Sequence, residues 1–403
     1  MTIRRFRIRE SYDWVYRDAV RPEAYEALLR YLDQTFPGEV IIERLYDKLR
    51  FINYVGFIYC EGVEYEIVPK VSLSVDDGEG ALLSMLRYVE DMDIAFMERV
   101  EVGRRHTDSL MEAFLHAFVQ RLLQELKRGV HRTYVSQTDN LLFLKGRLQV
   151  SEQLRAGARQ SSYAICTFDE HNEDHDLNRM LLAALRVVQR VIQSKYIMEI
   201  NQVNALLENV REVHPSSTNF KQVTLNRQNE RFHDLSYFAR MILDRAGWMQ
   251  SGVDDTAFSM LFEMNKLFEA YVGQALVSLL GEDRVILQDT TKHLLINMKT
   301  GQGNILLKPD FVIDESILLD TKWKSCSYND RVNYSQADIY QMYAYVTSYT
   351  YADRCLLLYP WQEDGIELPR WRLAEGDKTI EMHAVRVDTV EHTLEDLEVL
   401  LMM

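Results

Sequence analysis

Apolar and polar residues alternate along the first quarter of the chain. The clearest alternation covers residues 44–71, where Tyr, Ile and Val recur between polar residues and Gly56 and Gly62 mark turns. A period of two is typical of strands that bury one face. Residues 1–105 are therefore predicted to form a β-rich N-terminal domain.

A helical period replaces this alternation in the middle of the chain. Within residues 106–129, large apolar residues recur at every fourth position, namely Leu110, Phe114, Phe118, Leu122 and Leu126. This spacing predicts a helix that ends near Gly129. Residues 133–155 have the pattern of a β-hairpin leading into another helix, and a longer helical pattern covers about residues 176–213. Residues 106–250 are predicted to be a mainly helical middle region with a β-hairpin.

The last third of the chain combines both periods. Residues 256–280 are apolar on most faces and predict one buried helix. Four short β-like runs follow (RVILQD, KHLLINM, NILLKPDFVID and SILLDTKWK), and then an amphipathic helix in which Ser335 and Asp338 have the spacing of a capping box. Together with the strand CLLLYP, this order predicts a C-terminal α/β domain over residues 251–403. The whole chain is predicted to be an α+β multidomain protein.

Composition narrows the classes of function. The net charge is −15, whereas proteins that hold duplex DNA by themselves usually present a basic surface. If the chain acts on nucleic acid, a partner is expected to do much of the holding. The four cysteines stand far apart without a CxxC pair, which predicts reduced thiols. The sequence contains no apolar run of roughly 18 residues and no signal peptide, so a cytoplasmic protein without a membrane span is expected.

Two carboxylates and a lysine interrupt the apolar runs of the last third. Side chains alternate along a strand, so Asp320 and Lys322 are expected on the same face. Pro309 cannot donate to a ladder and indicates a strand edge or a bulge, which re-aims the next side chain, that of Asp310. Two carboxylates from neighbouring strands can then meet one lysine.

This set of residues suits metal-assisted phosphodiester hydrolysis. Mg²⁺ prefers oxygen ligands and keeps several waters, so two carboxylates and a phosphate suffice, while a lysine offsets developing charge. Glu269, on the preceding helix, is a candidate third carboxylate. On the following helix, Asp338, Gln341 and Tyr345 are spaced to lie on one face, which can flank the same site.

The order of these residues resembles a known nuclease core. Glu269, Pro309-Asp310, Asp320-Thr321-Lys322 and Gln341-x-x-x-Tyr345 resemble the PD-(D/E)xK superfamily, including the QxxxY feature of its RecB-like branch. More closely, KPDFVI, LLDTKWK and YSQADIYQMYAYVTSY resemble McrC, the nuclease subunit of McrBC-type modification-dependent restriction systems. The segments YVGFIYCEGVEYEIVPKV, LKGRLQVSEQLR, CTFDEHNEDHDLNRMLLAAL and MNKLFEAYV continue this resemblance, which covers about residues 50–360.

The resemblance implies an endonuclease domain at the C-terminus that cleaves DNA with Mg²⁺. Carried over position by position, the metal ligands are Asp310, Asp320 and Glu269, and the catalytic residues are these three together with Lys322, Gln341 and Tyr345. Thr321 and Trp323 depart from the usual residues of the Asp-x-Lys-x-Lys pattern. Their side chains are expected to face away from the site.

The resemblance also implies a protein partner. In that family the N-terminal part docks onto a hexamer of McrB-like AAA+ GTPase subunits and stimulates GTP hydrolysis, and the partner reads the modified cytosine in double-stranded DNA. Such a division of labour would account for the net charge of −15. The chain itself has no GxxxxGK[ST] phosphate loop. Lys145 and Arg147 are candidates for stimulating the GTPase, since a basic residue reaching a nucleotide is the type of group required. They also fit a turn with solvated charges.

Other functions remain open at this stage. By themselves, Asp320 and Lys322 would more often be an ordinary solvated ion pair than catalytic residues. A PD-(D/E)xK nuclease acting alone, or with an ATP-dependent translocase, fits the same motifs. A non-catalytic adaptor of an AAA+ ring is the third possibility. Two carboxylates held together without a cation repel each other, which argues against the adaptor.

Overall fold

Strands and helices alternate through most of the chain in the computed structural model. The structure describes residues 4–70, 75–89, 100, 109–156, 163–192, 195–214, 220, 223–245, 257–328, 331–361 and 367–402. The α-helices are α1 Pro22–Thr35, α2 Val75–Val89, α3 Leu110–Lys127, α4 Val150–Ala156, α5 Asp176–Ile192, α6 Ile197–Leu206, α7 His233–Arg245, α8 Met264–Leu280, α9 Gln336–Ser348 and α10 Val390–Met402.

The strands belong to several separate sheets. They are β1 Arg4–Arg9, β2 Val15–Tyr16, β3 Ile42–Arg44, β4 Lys48–Phe51, β5 Tyr54–Cys60, β6 Val63–Val68, β7 Thr133–Leu141, β8 Arg147–Leu148, β9 Ala164–Asn172, β10 Phe258–Glu263, β11 Val285–Leu287, β12 His293–Ile296, β13 Gly303–Leu306, β14 Phe311–Ile313, β15 Ile317–Thr321, β16 Ser327–Tyr328, β17 Arg331–Val332, β18 Arg354–Pro360, β19 Arg370–Arg372 and β20 Thr379–Val385. The predicted mixed α+β architecture is confirmed.

The chain forms two compact units, and one of them is built from both ends of the sequence. Unit 1 comprises residues 1–97 and 261–403, and unit 2 comprises residues 98–260. The predicted three domains stay a prediction. The predicted boundaries, after residues 105 and 250, both lie outside the described residues.

Strand pairing and a buried hydrogen bond explain why the two ends share unit 1. β1 pairs in parallel with β6 in a four-stranded sheet of order β1-β6-β5-β10, which joins strands of the N-terminal segment to β10. Just after β10, the Met264 N–H donates to the Asn53 carbonyl oxygen at 2.8 Å. Glu10 follows β1 and is fully buried, and its carboxylate accepts a hydrogen bond from the indole N–H of Trp323, which follows β15. The N-terminal segment is thereby fixed beside the strands of the last third.

The second sheet of unit 1 has six strands in the order β11-β14-β15-β18-β20-β19. Because side chains alternate along a strand, those of β14 and β15 pack against two different helices, α9 on one face and α8 on the other. Val312 and Leu318 belong to the same buried cluster as Met342 and Val346 of α9. The Phe311 ring lies against Gly273 of α8, where a Cβ would be 2.9 Å from the ring, so a glycine permits the close approach. β14 and β15 are therefore buried on both faces.

Unit 2 combines helices with a three-stranded sheet of order β7-β9-β8. α3 begins at Ser109, whose hydroxyl accepts from the Glu112 N–H at 2.9 Å, and its apolar stripe is buried as the helical spacing predicts. The turn before β8 requires Gly146. Its φ is +68°, and a Cβ there would lie 2.5 Å from the Thr167 carbonyl oxygen.

Two expectations about helix ends are wrong. Residues 256–280 do not form one helix, because Phe258–Glu263 is the strand β10 and α8 begins only at Met264. The backbone groups of β10 pair within the sheet, beside β5, instead of closing helical turns. The capping box is also wrong. Ser335 precedes α9 without a side-chain cap, and the Asp338 carboxylate accepts from Lys324 Nζ at 2.9 and 3.0 Å.

Two helices accompany the strands of the β-rich N-terminal region. α1 starts with Pro22 at its first position and buries Tyr25, Leu28 and Leu32 along one face. α2 supplies buried Leu82 and Leu86. In the part of the chain that the structure describes, none of the helices has the length and apolar character that crossing a membrane requires.

Candidate active site

The two predicted aspartates lie at one end of the antiparallel pair β14 and β15. Phe311 is paired with Leu319, so the next residues along, Asp310 and Asp320, come opposite each other. β15 is an interior strand, because its other edge pairs in parallel with β18. The register of two central strands therefore brings together carboxylates ten positions apart in the sequence.

Thr321 fixes the Asp310 carboxylate. Oδ2 of Asp310 accepts from both the backbone N–H and the hydroxyl of Thr321, each at 2.7 Å. The expectation that Thr321 faces away from the site is therefore wrong. Asp310 precedes β14 and is not bound by the alternation of that strand, so its side chain crosses to the end of β15. This leaves Oδ1 of Asp310 for other contacts.

Asp320 is the most buried of the candidate residues, with 2% of its surface exposed. The ammonium group of Lys322 contacts its Oδ2, as the predicted shared face requires. Burial, together with the neighbouring Asp310 carboxylate, raises the pKa of Asp320 to about 7, although Lys322 opposes the shift. Two carboxylates and one ammonium thus share a region with little solvent.

A chain of hydrogen bonds connects Asp320 to helix α9. Gln341 Nε2 lies 3.4 Å from Asp320 Oδ1 and donates to the Tyr345 hydroxyl at 2.7 Å. That hydroxyl donates to the Lys308 carbonyl oxygen at 2.8 Å. Burial and the charge of Asp320 raise the pKa of Tyr345 to about 12, so the hydroxyl stays protonated and remains a donor. Gln341 and Tyr345 thereby position the segment that carries Asp310.

Glu269 lies on α8, and a residue absent from the sequence prediction holds it. Gln288 Nε2 donates to Glu269 Oε1 at 2.6 Å, and the Gln288 backbone N–H donates to the Asp310 carbonyl oxygen at 2.8 Å. The pKa of Glu269 is raised, mainly by burial and also by Asp310, although the Gln288 hydrogen bond, Lys308 and Lys322 oppose the shift. No motif marks Gln288, whose role depends on a left-handed φ of +50° just after β11.

Asp338 does not join the two aspartates, although it lies on the same helix as Gln341. It is buried and forms its ion pair with Lys324. Lys324 is therefore engaged away from Asp320, and Lys322 is the lysine that contacts the buried carboxylate. The helical face predicted to flank the site thus divides, with Gln341 and Tyr345 at Asp320 and Asp338 at Lys324.

The donor set can be compared with the needs of a cation. The described residues contain no group of three or more His, Cys, Asp and Glu side chains arranged to hold a metal ion. One carboxylate oxygen of Glu269 accepts a hydrogen bond from Gln288. The carboxylates that the strand register places opposite each other are those of Asp310 and Asp320. Mg²⁺ usually takes one or two carboxylates and completes its shell with water and phosphate oxygens. Two opposed carboxylates, one nearly inaccessible, fit that requirement.

The two basic residues considered for stimulating a GTPase lie in unit 2, Lys145 in the turn before β8 and Arg147 at the start of β8. Lys145 Nζ is 3.4 Å from Glu170 Oε1 and 3.9 Å from the centroid of the Phe168 ring. Arg147 is exposed in β8, where its backbone pairs with Thr167. The charge of Lys145 is thus already balanced within the unit, and the stimulating role of either residue stays a prediction.

The fold and the site define a mixed α+β protein with a centre of two carboxylates and a lysine. A family model described as "McrBC 5-methylcytosine restriction system component" matches residues 49–360, and the chain belongs to this family. The resemblance drawn from the sequence motifs is therefore confirmed at the level of the family. No curated protein matches the sequence.

Solved structures that share the fold include two from Thermococcus gammatolerans. One is described as "Refined half-complex from tetradecameric assembly of Thermococcus gammatolerans McrB AAA+ hexamers with bound McrC". The match is 19% identical, has a TM-score of 0.74 and covers 98% of this chain and 100% of the other. The second, "Cryo-EM structure of the Thermococcus gammatolerans McrBC complex", matches at 23% identity and a TM-score of 0.54, over 68% of this chain and 87% of that one. At these identities the likeness concerns the fold.

Proposed function

We propose that the protein is the DNA endonuclease subunit of a modified-cytosine-dependent restriction complex. It hydrolyses phosphodiester bonds at a PD-(D/E)xK centre made by Asp310, Asp320 and Lys322. The observation that carries this proposal is the strand register that sets Asp310 opposite a buried Asp320 with Lys322 against it. Two negative charges placed this close repel each other unless a cation binds between them. Metal-assisted hydrolysis requires such a bound cation.

Each residue has a task that follows from its contacts. Asp310 and Asp320 would hold Mg²⁺, which when bound polarises the phosphate and lowers the pKa of a water. Lys322 places a positive charge beside Asp320, where it stabilises negative charge developing on the phosphate. Gln341 and Tyr345 fix the two strand ends relative to each other. Glu269, held by Gln288, is an accessory carboxylate in this scheme.

We propose further that the chain works with a McrB-like AAA+ GTPase hexamer, and that the partner recognises the modified base. The Thermococcus structures are described as McrB AAA+ hexamers with bound McrC, and this chain has the same fold. A net charge of −15 also favours sharing the DNA-binding task with a partner. In unit 2, Leu142, Phe143 and Leu144 expose 65–74% of their surfaces at one turn, which is typical of a protein contact.

A cleavage assay with a matched control tests the proposal. Wild type, Asp320→Asn and Asp314→Asn are each mixed with the AAA+ partner of the same system, GTP, Mg²⁺ and cytosine-methylated plasmid. Asp314 is an exposed aspartate in the turn between β14 and β15, paired with Arg284 outside the site. Cleavage by wild type and Asp314→Asn, but not by Asp320→Asn, is expected. Equal cleavage by Asp320→Asn would place the active site elsewhere.

GTP hydrolysis by the partner is measured in the same mixtures. Asp320→Asn should stimulate it as wild type does, because the substitution changes neither the N-terminal segment nor unit 2. Loss of both activities in Asp320→Asn would indicate a folding defect. Thermal unfolding of the isolated variant checks that possibility.

A further inference from the structure

A two-stranded hairpin projects its side chains to solvent directly before the candidate site. The strands β12 and β13 pair with His293 opposite Leu306, and every residue of both strands is exposed. Ile296 and Ile305 expose 70% and 59% of their surfaces, and Met298 in the connecting turn is fully exposed. An isolated hairpin has little stability of its own, and such apolar exposure marks an interaction surface. We call residues 292–307 the basic hairpin.

The charge of the basic hairpin is opposite to that of the whole chain. The basic hairpin contains Lys292 and Lys299 but no acidic residue, and Lys308 follows it directly, in a protein whose net charge is −15. Lys299 lies in the exposed turn beside Met298. A local concentration of positive charge on an acidic protein favours a polyanion as the occupant.

The basic hairpin continues without interruption into the candidate site. Its base is closed by the Leu307 N–H, which donates to the Lys292 carbonyl oxygen at 2.9 Å. Leu307 is buried in the core beside α9, and the next carbonyl, that of Lys308, accepts from Tyr345. A duplex lying over Asp310 would therefore lie beside the hairpin as well.

The turn of the hairpin is already organised. The Asn297 side-chain oxygen accepts from the N–H groups of Lys299 and Thr300 at 2.9 and 3.2 Å, and the Gly301 N–H donates to the Asn297 carbonyl oxygen at 2.8 Å. At Gly303 a Cβ would collide with the His293 ring, so a glycine brings the two strands close together. A two-stranded ribbon of this kind fits a groove of duplex DNA.

We propose that the basic hairpin binds the duplex DNA substrate beside the cleavage site. Lys292 and Lys299 contact backbone phosphates, and Met298 enters a groove as an apolar tip, as inserted side chains of other DNA-binding proteins do. This inference rests on the proposed endonuclease function, since it names the surface that holds the substrate. It assigns to this chain a share of DNA binding in addition to that of the partner.

Binding of a labelled duplex of ~30 base pairs, about three helical turns, tests the proposal without cleavage. The full-length chain is measured in EDTA, alone and with its AAA+ partner, over a range of salt concentrations. Lys299→Ala should lower the slope of log affinity against log salt by about 1 and weaken binding roughly tenfold at ~0.1 M salt. Met298→Ala should weaken binding without changing the slope. Lys127→Ala, which removes the same charge at the exposed end of α3, should match wild type.

Several outcomes would overturn the proposal. One is the same slope and affinity for Lys299→Ala and Lys127→Ala, and another is absence of duplex binding by wild type in both states. If Met298→Ala changed self-association in sedimentation but not DNA binding, the hairpin would be an interface between copies of the chain. Binding is measured without Mg²⁺ and therefore does not depend on cleavage. If wild type binds DNA through the hairpin but does not cleave it, only the endonuclease proposal is contradicted.

Discussion

Trp323 donates its indole N–H to the carboxylate of Glu10, and the two residues are separated by 313 positions in the sequence. Both side chains are buried, and Lys70 lies 3.9 Å from the same carboxylate. Burial raises the pKa of Glu10, whereas Lys70 and Trp323 favour its charged form. The hydrogen bond fixes the N-terminal strand to the residue that follows Lys322, so the stability of unit 1 and the position of Lys322 are linked.

Trp323→Phe is expected to lower the free energy of unfolding by about 1–3 kcal/mol, because it removes one hydrogen-bond donor from a buried carboxylate. Chemical denaturation of the full chain measures this change. Trp371→Phe is the control, since Trp371 is only half-buried in β19. If both variants lost the same free energy of unfolding, the smaller ring would explain the loss, and the hydrogen bond to Glu10 would contribute nothing to stability.

Tyr345→Phe should reduce the rate of DNA cleavage by about 10- to 100-fold, the range found for residues that position metal ligands. The hydroxyl donates to the Lys308 carbonyl and accepts from Gln341, so its loss frees the segment that carries Asp310. Single-turnover cleavage measures the rate, and duplex binding should change little. Tyr343→Phe alters an exposed tyrosine of the same helix and should cleave at the wild-type rate. Equal rates for the two variants would leave Tyr345 without a positioning role.

Mg²⁺ should raise the thermal midpoint of wild type, and EDTA should reverse the effect. At a concentration of about 100 times the Kd, binding to the folded state alone stabilises it by roughly 2.7 kcal/mol. Asp310→Asn and Asp320→Asn should lose most of this increase, because each removes a carboxylate from the opposed pair. Asp314→Asn should keep it. A full Mg²⁺ effect in Asp320→Asn would show that the ion binds at another site.

Glu381 should make stability depend on pH below about 4.5. Burial alone would raise its pKa, but hydrogen bonds from Arg354, His383 and Thr379 outweigh burial and lower the pKa to about 2. The stabilisation is therefore complete above the unfolded value near 4.5, and it is lost as pH falls toward 2. Glu381→Gln should be less stable than wild type at pH 7, with a difference that shrinks between these values.

Urea denaturation at several pH values measures this dependence. Glu375→Gln, which alters an exposed glutamate, serves as the control and should follow wild type throughout. A constant difference between wild type and Glu381→Gln across the acidic range would contradict the assignment.

The central strands of the site could be predicted from sequence because their patterns are local. Short apolar runs bounded by polar residues marked β14 and β15, and the period of α9 put Gln341 and Tyr345 on one helix. The relation between Asp320 and Lys322 followed from strand alternation, and the Lys322 ammonium does contact that carboxylate. These inferences needed no knowledge of how distant segments pair.

The features that sequence reasoning missed depend on contacts across the fold. Thr321 reaches Asp310 because Asp310 lies outside the strand, which alternation cannot indicate. Gln288 holds Glu269 through a backbone conformation that no motif signals. Phe258–Glu263 is apolar enough for a buried helix, and only its place beside β5 makes it a strand. The parallel pairing of β1 with β6 likewise has no local signature.

The division of unit 1 between residues 1–97 and 261–403 also sets the order in which the protein can be completed during synthesis. The ribosome releases β1, β5 and β6 long before β14, β15 and α9 exist. Unit 2, which is continuous over residues 98–260, is made in between and can fold at once. The candidate site is therefore completed only after unit 2 has been made, and a translation product interrupted between them would carry unit 2 without Asp310, Asp320 and Lys322.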